Sequence, residues 1–224
     1  MASKVLVLIP TLTRPIMCRR AVESLLRQDF ASWDLAIIKN GPAKLAGYTR
    51  ALADVLEHPR IHLLSVGEAG LGNALNEGFT HFHHGHQYFA NLEDDDEWNP
   101  AFLRLMYKEA QRSGADVTHC LQHQEPDRRQ SNGGPMDTAL IRRRNWINFP
   151  MCLFRSSLFR KTGGFCTDAG PATDWDWHLR CLQAGGRYHF VPETLVTHHW
   201  HGGNYCLQSN GEYVRKRLKE GAYG

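Results

Sequence analysis

The sequence predicts an α/β fold, a Rossmann-like and mostly parallel central sheet flanked by helices, with a smaller region appended. Three observations carry that prediction. Short apolar runs alternate with amphipathic stretches through the first half of the 224 residues. The first of these runs, Val5-Leu6-Val7-Leu8-Ile9, is apolar throughout, as parallel strands covered on both faces tend to be. A cluster of acids, Glu93-Asp94-Asp95-Asp96-Glu97, closes the apolar run Tyr88-Phe89-Ala90-Asn91-Leu92. That puts carboxylates at the carboxyl end of a strand, where open α/β sheets bind their ligands.

The elements follow in order. A strand over residues 4–9 is broken by Pro10-Thr11-Leu12-Thr13-Arg14-Pro15, a polar loop. A helix over residues 16–28 presents Ala21, Val22, Leu25 and Leu26 as its inward stripe. A second strand over 33–38 ends at the turn signal Asn40-Gly41-Pro42. A helix over 45–57 and a strand over 61–66 come next. Gly70-Leu71-Gly72-Asn73 then leads into a helix over 74–83 and the strand that meets the acids. Three β–α units feeding a fourth strand give the alternation of a parallel, nucleotide-binding sheet.

The second half is less regular. It reads as a helix over 101–113, a strand over 117–123, a polar Gly-rich loop over 125–135, a strand over 147–154 and a short helix over 156–161. Thr173-Asp174-Trp175-Asp176 opens an amphipathic helix that Gly185-Gly186 ends. Short strands over 187–191 and 195–199 and a peripheral basic helix over 214–220 complete the chain. No internal repeat is visible. The expectation is one domain in two halves, 1–100 and 101–224.

Composition narrows the class. A hydrophobic content of 42% and a charged content of 22% are those of an ordinary soluble globular protein. No apolar run is long enough to span a bilayer. The run at Val5 follows a single Lys4 and has no small-residue cleavage site, so it reads as a strand and not a signal peptide. A cytoplasmic protein is expected. The six cysteines, at positions 18, 120, 152, 166, 181 and 206, show no CxxC pairing and fit reduced thiols. A net charge of +3 permits anionic partners without arguing for them.

Crowded carboxylates repel one another unless a cation neutralises them. Mg²⁺ and Mn²⁺ take oxygen ligands and bridge carboxylates to substrate phosphates. The alternative is a solvated acidic turn. Two histidine groups also stand out. His81, His83, His84 and His86 suit a polar helix end, where imidazolium is favourable near the dipole, and only loosely resemble a metal tract. The second group is His198-His199-Trp200-His201-Gly202-Gly203-Asn204.

The order of these pieces resembles the family 2 glycosyltransferases of the GT-A fold, from Val5 to about Asn204. Leu8-Ile9-Pro10-Thr11-Leu12-Thr13-Arg14-Pro15 is similar to the opening "IPTYNRP", and Glu23-Ser24-Leu25-Leu26-Arg27-Gln28 to the "ESLLxQ" helix. The segment from Gly70 to Gly78 is similar to "GxxxAxNxG". Glu93 to Pro100 stands at the acidic DxD metal motif, and Asp174-Trp175-Asp176-Trp177-His178-Leu179-Arg180 resembles the "EDxDLxLR" helix that carries the catalytic base of inverting members.

The resemblance implies a metal-dependent, inverting transfer of a sugar from a nucleotide diphosphate sugar to a hydroxyl acceptor, with Mn²⁺ or Mg²⁺ as cofactor. Residues 1–100 would then bind the nucleotide sugar, and 101–224 the acceptor and the base. Asp95 matches the last Asp of the metal motif. Glu93 takes its first position, where a longer side chain addresses the ribose or the metal differently. His201 matches a late histidine that reaches the diphosphate or metal, with a structural role as the alternative. Pro10, Thr11, Arg14, Asn40, Asn76, Asp94 and Asp95 fall on the donor side, and Asp96, Trp98 and Trp175 on the acceptor side. Asp174 stands where the base stands, with Asp176 the second choice and helix capping by Thr173 or Asp174 the alternative reading.

Two departures are visible. The acidic pair many relatives carry after the second strand is Lys39-Asn40-Gly41 here, and the Arg of the "GxxxARNxG" helix is Leu75. Two further readings compete with a glycan or lipid-linked precursor as the acceptor. It can be hydroxymethylated bases in DNA, with Arg128-Arg129 and Arg142-Arg143-Arg144-Asn145-Trp146 as an electrostatic and stacking surface, or merely a solvated face. The chain can also be a nucleotide-binding protein with degraded chemistry.

Overall fold

In the computed structural model, which describes residues 4–42, 45–126, 131–204 and 211–223, the apolar run at the start becomes β1 (Val5–Thr11), buried along its whole length. It pairs in parallel with β2 (Trp33–Asn40) on one side and β4 (Tyr88–Asn91) on the other. Strand β3 (Ile61–Val66) adds to β2, again in parallel. Helices α1 (Pro15–Leu26) and α3 (Leu71–Phe82) make the crossovers and bury Cys18, Ala21, Val22 and Leu25, and Ala74, Leu75 and Phe79, respectively. Pro15 at the start of α1 needs no N–H partner there, so the loop turns directly into helix.

The rest of the sheet is mixed. Strand β8 (Cys152–Arg155) runs antiparallel between β4 and β6 (Val117–Glu125). Beside β6 lies β9 (Tyr188–His199), in parallel, and a two-residue strand β5 (Glu97–Trp98) closes the edge. The order is β3-β2-β1-β4-β8-β6-β9-β5, with β7 (Ser131–Asn132) pairing on β6. The remaining helices are α2 (Ala46–Ala51), α4 (Phe102–Ser113), α5 (Thr138–Ile141), α6 (Ser156–Thr162), α7 (Thr173–Gln183) and α8 (Glu212–Lys219).

Several expectations are corrected. The helix expected over 45–57 stops at Ala51, because Arg19 donates to the Ala51 carbonyl that a continuing helix would use, and a 3₁₀ turn follows at Val55–Glu57. The strand expected over 147–154 begins only at Cys152, and Phe149–Met151 before it is a 3₁₀ turn, since Pro150 has no N–H for a ladder. The two strands expected over 187–199 are one. Register with β6 passes from Phe190 opposite His119 to Thr194 opposite Leu121, so Pro192 sits in a bulge where its missing N–H costs nothing.

An aromatic block ties the halves together. Phe79 stacks on Phe159 at 4.0 Å, and Trp177 of α7 meets Phe165 at 4.2 Å and Phe154 at 6.0 Å. The five described cysteines are unpaired; Cys206 lies outside the described residues. Among the described residues no helix is long and apolar enough to cross a membrane.

Candidate active site

The acidic turn is held at the carboxyl ends of β1 and β4. Leu92 continues the β1 pairing by donating to the Leu8 carbonyl, and the Asp96 N–H closes the turn onto the Glu93 carbonyl at 3.1 Å. Each acid then meets a different partner. Asp94 accepts from Thr11 Oγ1 at 2.5 Å and pairs with Arg14 at 2.5 Å. Asp95 Oδ2 faces Arg14 at 2.5 Å, His201 Nε2 at 3.0 Å and the Asn204 amide at 3.4 Å. Asp96 meets His198 Nδ1 at 2.9 Å, and Glu97 meets His199 Nε2 at the same distance. The β5–β9 pairing makes these contacts possible, since Glu97 lies opposite Thr197 and brings the next histidines of β9 beside the turn.

Charge is under strain here. Burial pushes the Glu93 carboxyl well above the usual range, and Asp95, Asp96, Asp174 and Asp94 push the same way. Asp94 is raised to about 6 by burial, against the pull of Arg14 and Thr11. Burial also raises Asp96, opposed by His198, whose own ring is held protonated more readily by Asp96 despite its burial. Arg14 is likewise driven further toward its charged form, the neighbouring acids outweighing desolvation. Arg14 and three imidazoles thus face the carboxylates of the turn.

A divalent cation fits what remains. Oxygens of Glu93, Asp95 and Asp96 lie within 4.8 Å of one another, and Asp95 Oδ1 is buried with no hydrogen-bond partner among the described residues. An orphaned buried carboxylate oxygen in an all-oxygen set suits Mg²⁺ or Mn²⁺. The solvated-turn alternative is excluded for Asp94, Asp95 and Asp96, which are at most 2% exposed.

Two cavities flank the turn. One of about 340 Å³ is lined by Pro10, Thr11, Arg14, Asn40, Glu93 and Asp94, with Gly70 and Leu71 at the start of α3. The other, about 220 Å³, is lined by Glu93, Asp96, Asn148, Asp174, His198 and Trp200. Leu71 and Glu93 line both, so the cavities adjoin. Asp174 therefore shares a hollow with the acidic turn. Its carboxylate accepts from Asn145 Nδ2 at 2.8 Å and from the Trp175 N–H at 2.7 Å. Burial lifts it to about 7, against the downward pull of those two donors. Thr173 does not cap α7, since its Oγ1 donates to the Gly170 carbonyl and the N-cap position is Ala172, while Asp174 does take up one first-turn N–H, that of Trp175.

Asp95 and His201 meet each other within the acidic turn's network but line neither cavity, and four further candidates lie away from both the cavities and the turn. The Asn76 amide is used at both ends by the Phe165 backbone, at 2.9 and 2.8 Å, and ties α3 to the approach of α7. Trp98 is buried, stacks on Phe102 at 4.1 Å and donates to the Pro150 carbonyl. Trp175 is buried and donates to the Ile141 carbonyl at 2.6 Å. Asp176 pairs with Arg180 and accepts from Tyr223 Oη, both at 2.7 Å, which makes it a packing element of α7 and the C-terminus. Asn40 does line the donor-side cavity, but its amide bridges the Thr11 carbonyl and the Gly70 N–H. Lys39 is buried and donates to the Gly41 carbonyl.

Sequence reasoning missed Asn145, the partner of Asp174, and the contact of His198 with Asp96. No motif marks Asn145; the His198-His199 doublet was visible, but its partner depended on the β5–β9 register. Of the DNA surface, Arg142, Arg143 and Arg144 are exposed while Trp146 is buried, so that ring is not available for stacking. Arg128 and Arg129 lie outside the described residues.

Comparison with known proteins agrees with this architecture. The sequence profile described as "Glycosyl transferase family 2" matches residues 6–166. The Escherichia coli K12 protein named "Putative colanic acid biosynthesis glycosyl transferase WcaA" is 30% identical over 113 residues, which is 49% of this chain and 38% of that protein. S. aureus TarS 1-349, solved with UDP-GlcNAc, superposes with a TM-score of 0.75 at 13% identity, over 92% of this chain and 61% of TarS 1-349. The mannosyltransferase PcManGT from Pyrobaculum calidifontis, solved with GDP-Man and Mn²⁺, gives 0.68 at 17% identity, over 92% and 59%. The chain thus spans less than two thirds of each of these relatives, and at such identities the two structures speak for the GT-A fold alone. With the profile spanning most of its length and the fold and acidic turn in accord, the chain belongs to glycosyl transferase family 2.

Proposed function

We propose that this chain transfers a sugar from a nucleotide diphosphate sugar to a hydroxyl acceptor with inversion at the anomeric carbon. One observation carries the reading: Asp174, raised to about 7, and the acidic turn border the same hollow from opposite elements, with Glu93 common to the cavities on both sides. A carboxyl that titrates near neutrality is a competent general base, since an acceptor hydroxyl is a poor nucleophile until its proton is taken. Asn145 orients that carboxylate and favours its charged form.

The donor belongs in the larger cavity, where Thr11 and Arg14 offer a hydroxyl and a guanidinium to the phosphates, and Asn40 braces the wall behind them. The acceptor, a glycan or lipid-linked precursor, belongs on the Asp174 side. When bound at Glu93, Asp95 and Asp96, Mn²⁺ or Mg²⁺ supplies neutralisation of the charge that develops on the departing diphosphate. One base with one leaving-group clamp suits a single displacement, which is the basis for inversion.

The test is a thermal-shift panel of nucleotide sugars with and without Mn²⁺, followed by anomer analysis of the product from the donor it selects. Stabilisation by one nucleotide sugar and a product of inverted configuration are expected. A retained configuration rules out the single displacement. Nucleotide binding with neither transfer nor hydrolysis would leave a degraded nucleotide-binding protein.

A further inference from the structure

The hollow beside Asp174 has a wall that proton transfer does not use. Gln124 of β6 stands opposite His198 of β9, and Asn132 of β7 opposite Gln122. Strand side chains alternate, so Gln124, Asn132 and His198 share one face. Trp200 follows two residues beyond His198 and lines the same hollow. Its N–H donates to the Glu125 carbonyl at 2.9 Å, which carries the β6–β9 pairing one step further. Its indole meets the His198 ring in a T-shaped contact at 5.9 Å.

The groups of this wall are open to a ligand. Five of the six tryptophans are at most 8% exposed, whereas Trp200 is 47% exposed. An exposed indole in a concave site marks a binding surface better than a scattered surface apolar residue does. Gln124 and Asn132 are half-buried, and their side chains have no hydrogen bond among the described residues. Each amide thus offers donors and an acceptor to the hollow. No lysine or arginine among the described residues lines it, and its histidine, His198, is taken by Asp96 at 2.9 Å. A phosphate would find no counter-charge there. The volume, about 220 Å³, lies below the roughly 300 Å³ at which sites for drug-sized ligands begin, and suits a single ring.

We propose that this hollow takes the end of the acceptor as one uncharged pyranose ring, its C–H face stacked on Trp200 and its hydroxyls bonded by Gln124 and Asn132. The axial C–H groups of a pyranose are slightly positive and meet the negative face of an indole. Each ring hydroxyl both donates and accepts, which an amide can answer on both counts. Asp174 lines the same hollow, so the ring presents its hydroxyls to the base. The ring's role as acceptor rests on the sugar-transfer reading, and the proposal narrows that reading to a saccharide end in place of a phosphate-bearing or nucleic-acid one.

The probes are the methyl pyranosides of glucose, galactose, mannose and N-acetylglucosamine, with glucose 6-phosphate and mannose 6-phosphate as charged counterparts. Saturation-transfer NMR in Mg²⁺ buffer reads their binding without donor or turnover. At least one neutral glycoside should bind, with saturation strongest on its axial ring protons, and the sugar phosphates should bind less well. Trp200→Ala should weaken binding by about tenfold or more, and Trp200→Phe, which keeps a ring face, should recover part of the loss. Asn132→Ala should weaken it about threefold to tenfold, the range of one neutral hydrogen bond. Circular dichroism checks that each variant is folded. Absence of binding by every neutral glycoside overturns the proposal, and sugar transfer still stands if a nucleotide sugar stabilises the chain. Tighter binding of the sugar phosphates, or binding indifferent to Trp200→Ala, overturns it as well. Trp200-dependent binding in a chain that no nucleotide sugar stabilises would uphold the pyranose site and remove the transfer reading instead.

Discussion

Asp174 carries two opposing consequences of one shift. Its carboxyl titrates near 7 in the folded chain against a usual 3.8, because burial disfavours its charge. Between those values the folded state holds a proton that the unfolded state has lost, so this group stabilises the fold at acid pH and that contribution is lost as pH rises toward 7. Asp174→Asn should therefore raise stability at pH 8 by about 1–3 kcal/mol in denaturant titrations. The same variant should lower kcat by about 10²–10⁴-fold, the usual worth of a general base, with donor affinity little changed. Asn145→Ala tests the positioning role. Without its amide the carboxyl titrates higher, so the rising limb of the pH–rate profile should move to more alkaline pH. An unmoved limb would assign Asn145 to packing alone.

At the level of elements, α3 is the brace between the two cavities and the sheet. Gly72 lies against the Cys166 carbonyl, which a Cβ would overlap, and Gly78 lies against Ile38 and Leu8. Alanine ordinarily favours a helix by about 1 kcal/mol over glycine. At Gly72 the clash is with backbone that cannot rotate aside, so Gly72→Ala should be net destabilising by about 1–3 kcal/mol and lower the Tm. Gly47→Ala in α2, where a Cβ meets nothing within 4 Å, should be neutral or stabilising in the same melts. The short strand β5 has a comparable positioning role. By pairing with β9 it sets His198 on Asp96 and His199 on Glu97, and the segment after β9 carries His201 to Asp95. The turn is thereby anchored from a strand about a hundred residues further along the chain.

Over the whole molecule, the acidic turn is the principal concentration of unfavourable charge, and a cation should relieve it. Mn²⁺ should raise the Tm through preferential binding to the folded chain, EDTA should abolish transfer, and Asp95→Asn should lose both effects. A Tm indifferent to Mn²⁺ in the native chain would count against the cluster as a metal site. Much of this architecture was legible beforehand. Strand β1, the β–α alternation and the acids at the end of β4 follow from local periodicity and turn chemistry, which act over a few residues. So does the placing of Asp174 at the start of a helix. Two of the boundaries that failed did so through distant partners, Arg19 ending α2 and the β6 register merging two strands into β9, whereas the late start of β8 follows from Pro150 within the segment itself. The site divided in the same way. Spacing along the sequence put carboxylates and cationic side chains at the carboxyl ends of an α/β sheet, and the family resemblance singled out Asp174 as the proton acceptor. Only the tertiary structure decided which of them meet, turning Trp98, Trp175, Asn76 and Asp176 toward packing and Asn145 and His198 toward the hollow, because side-chain partnership depends on contacts between segments far apart in sequence.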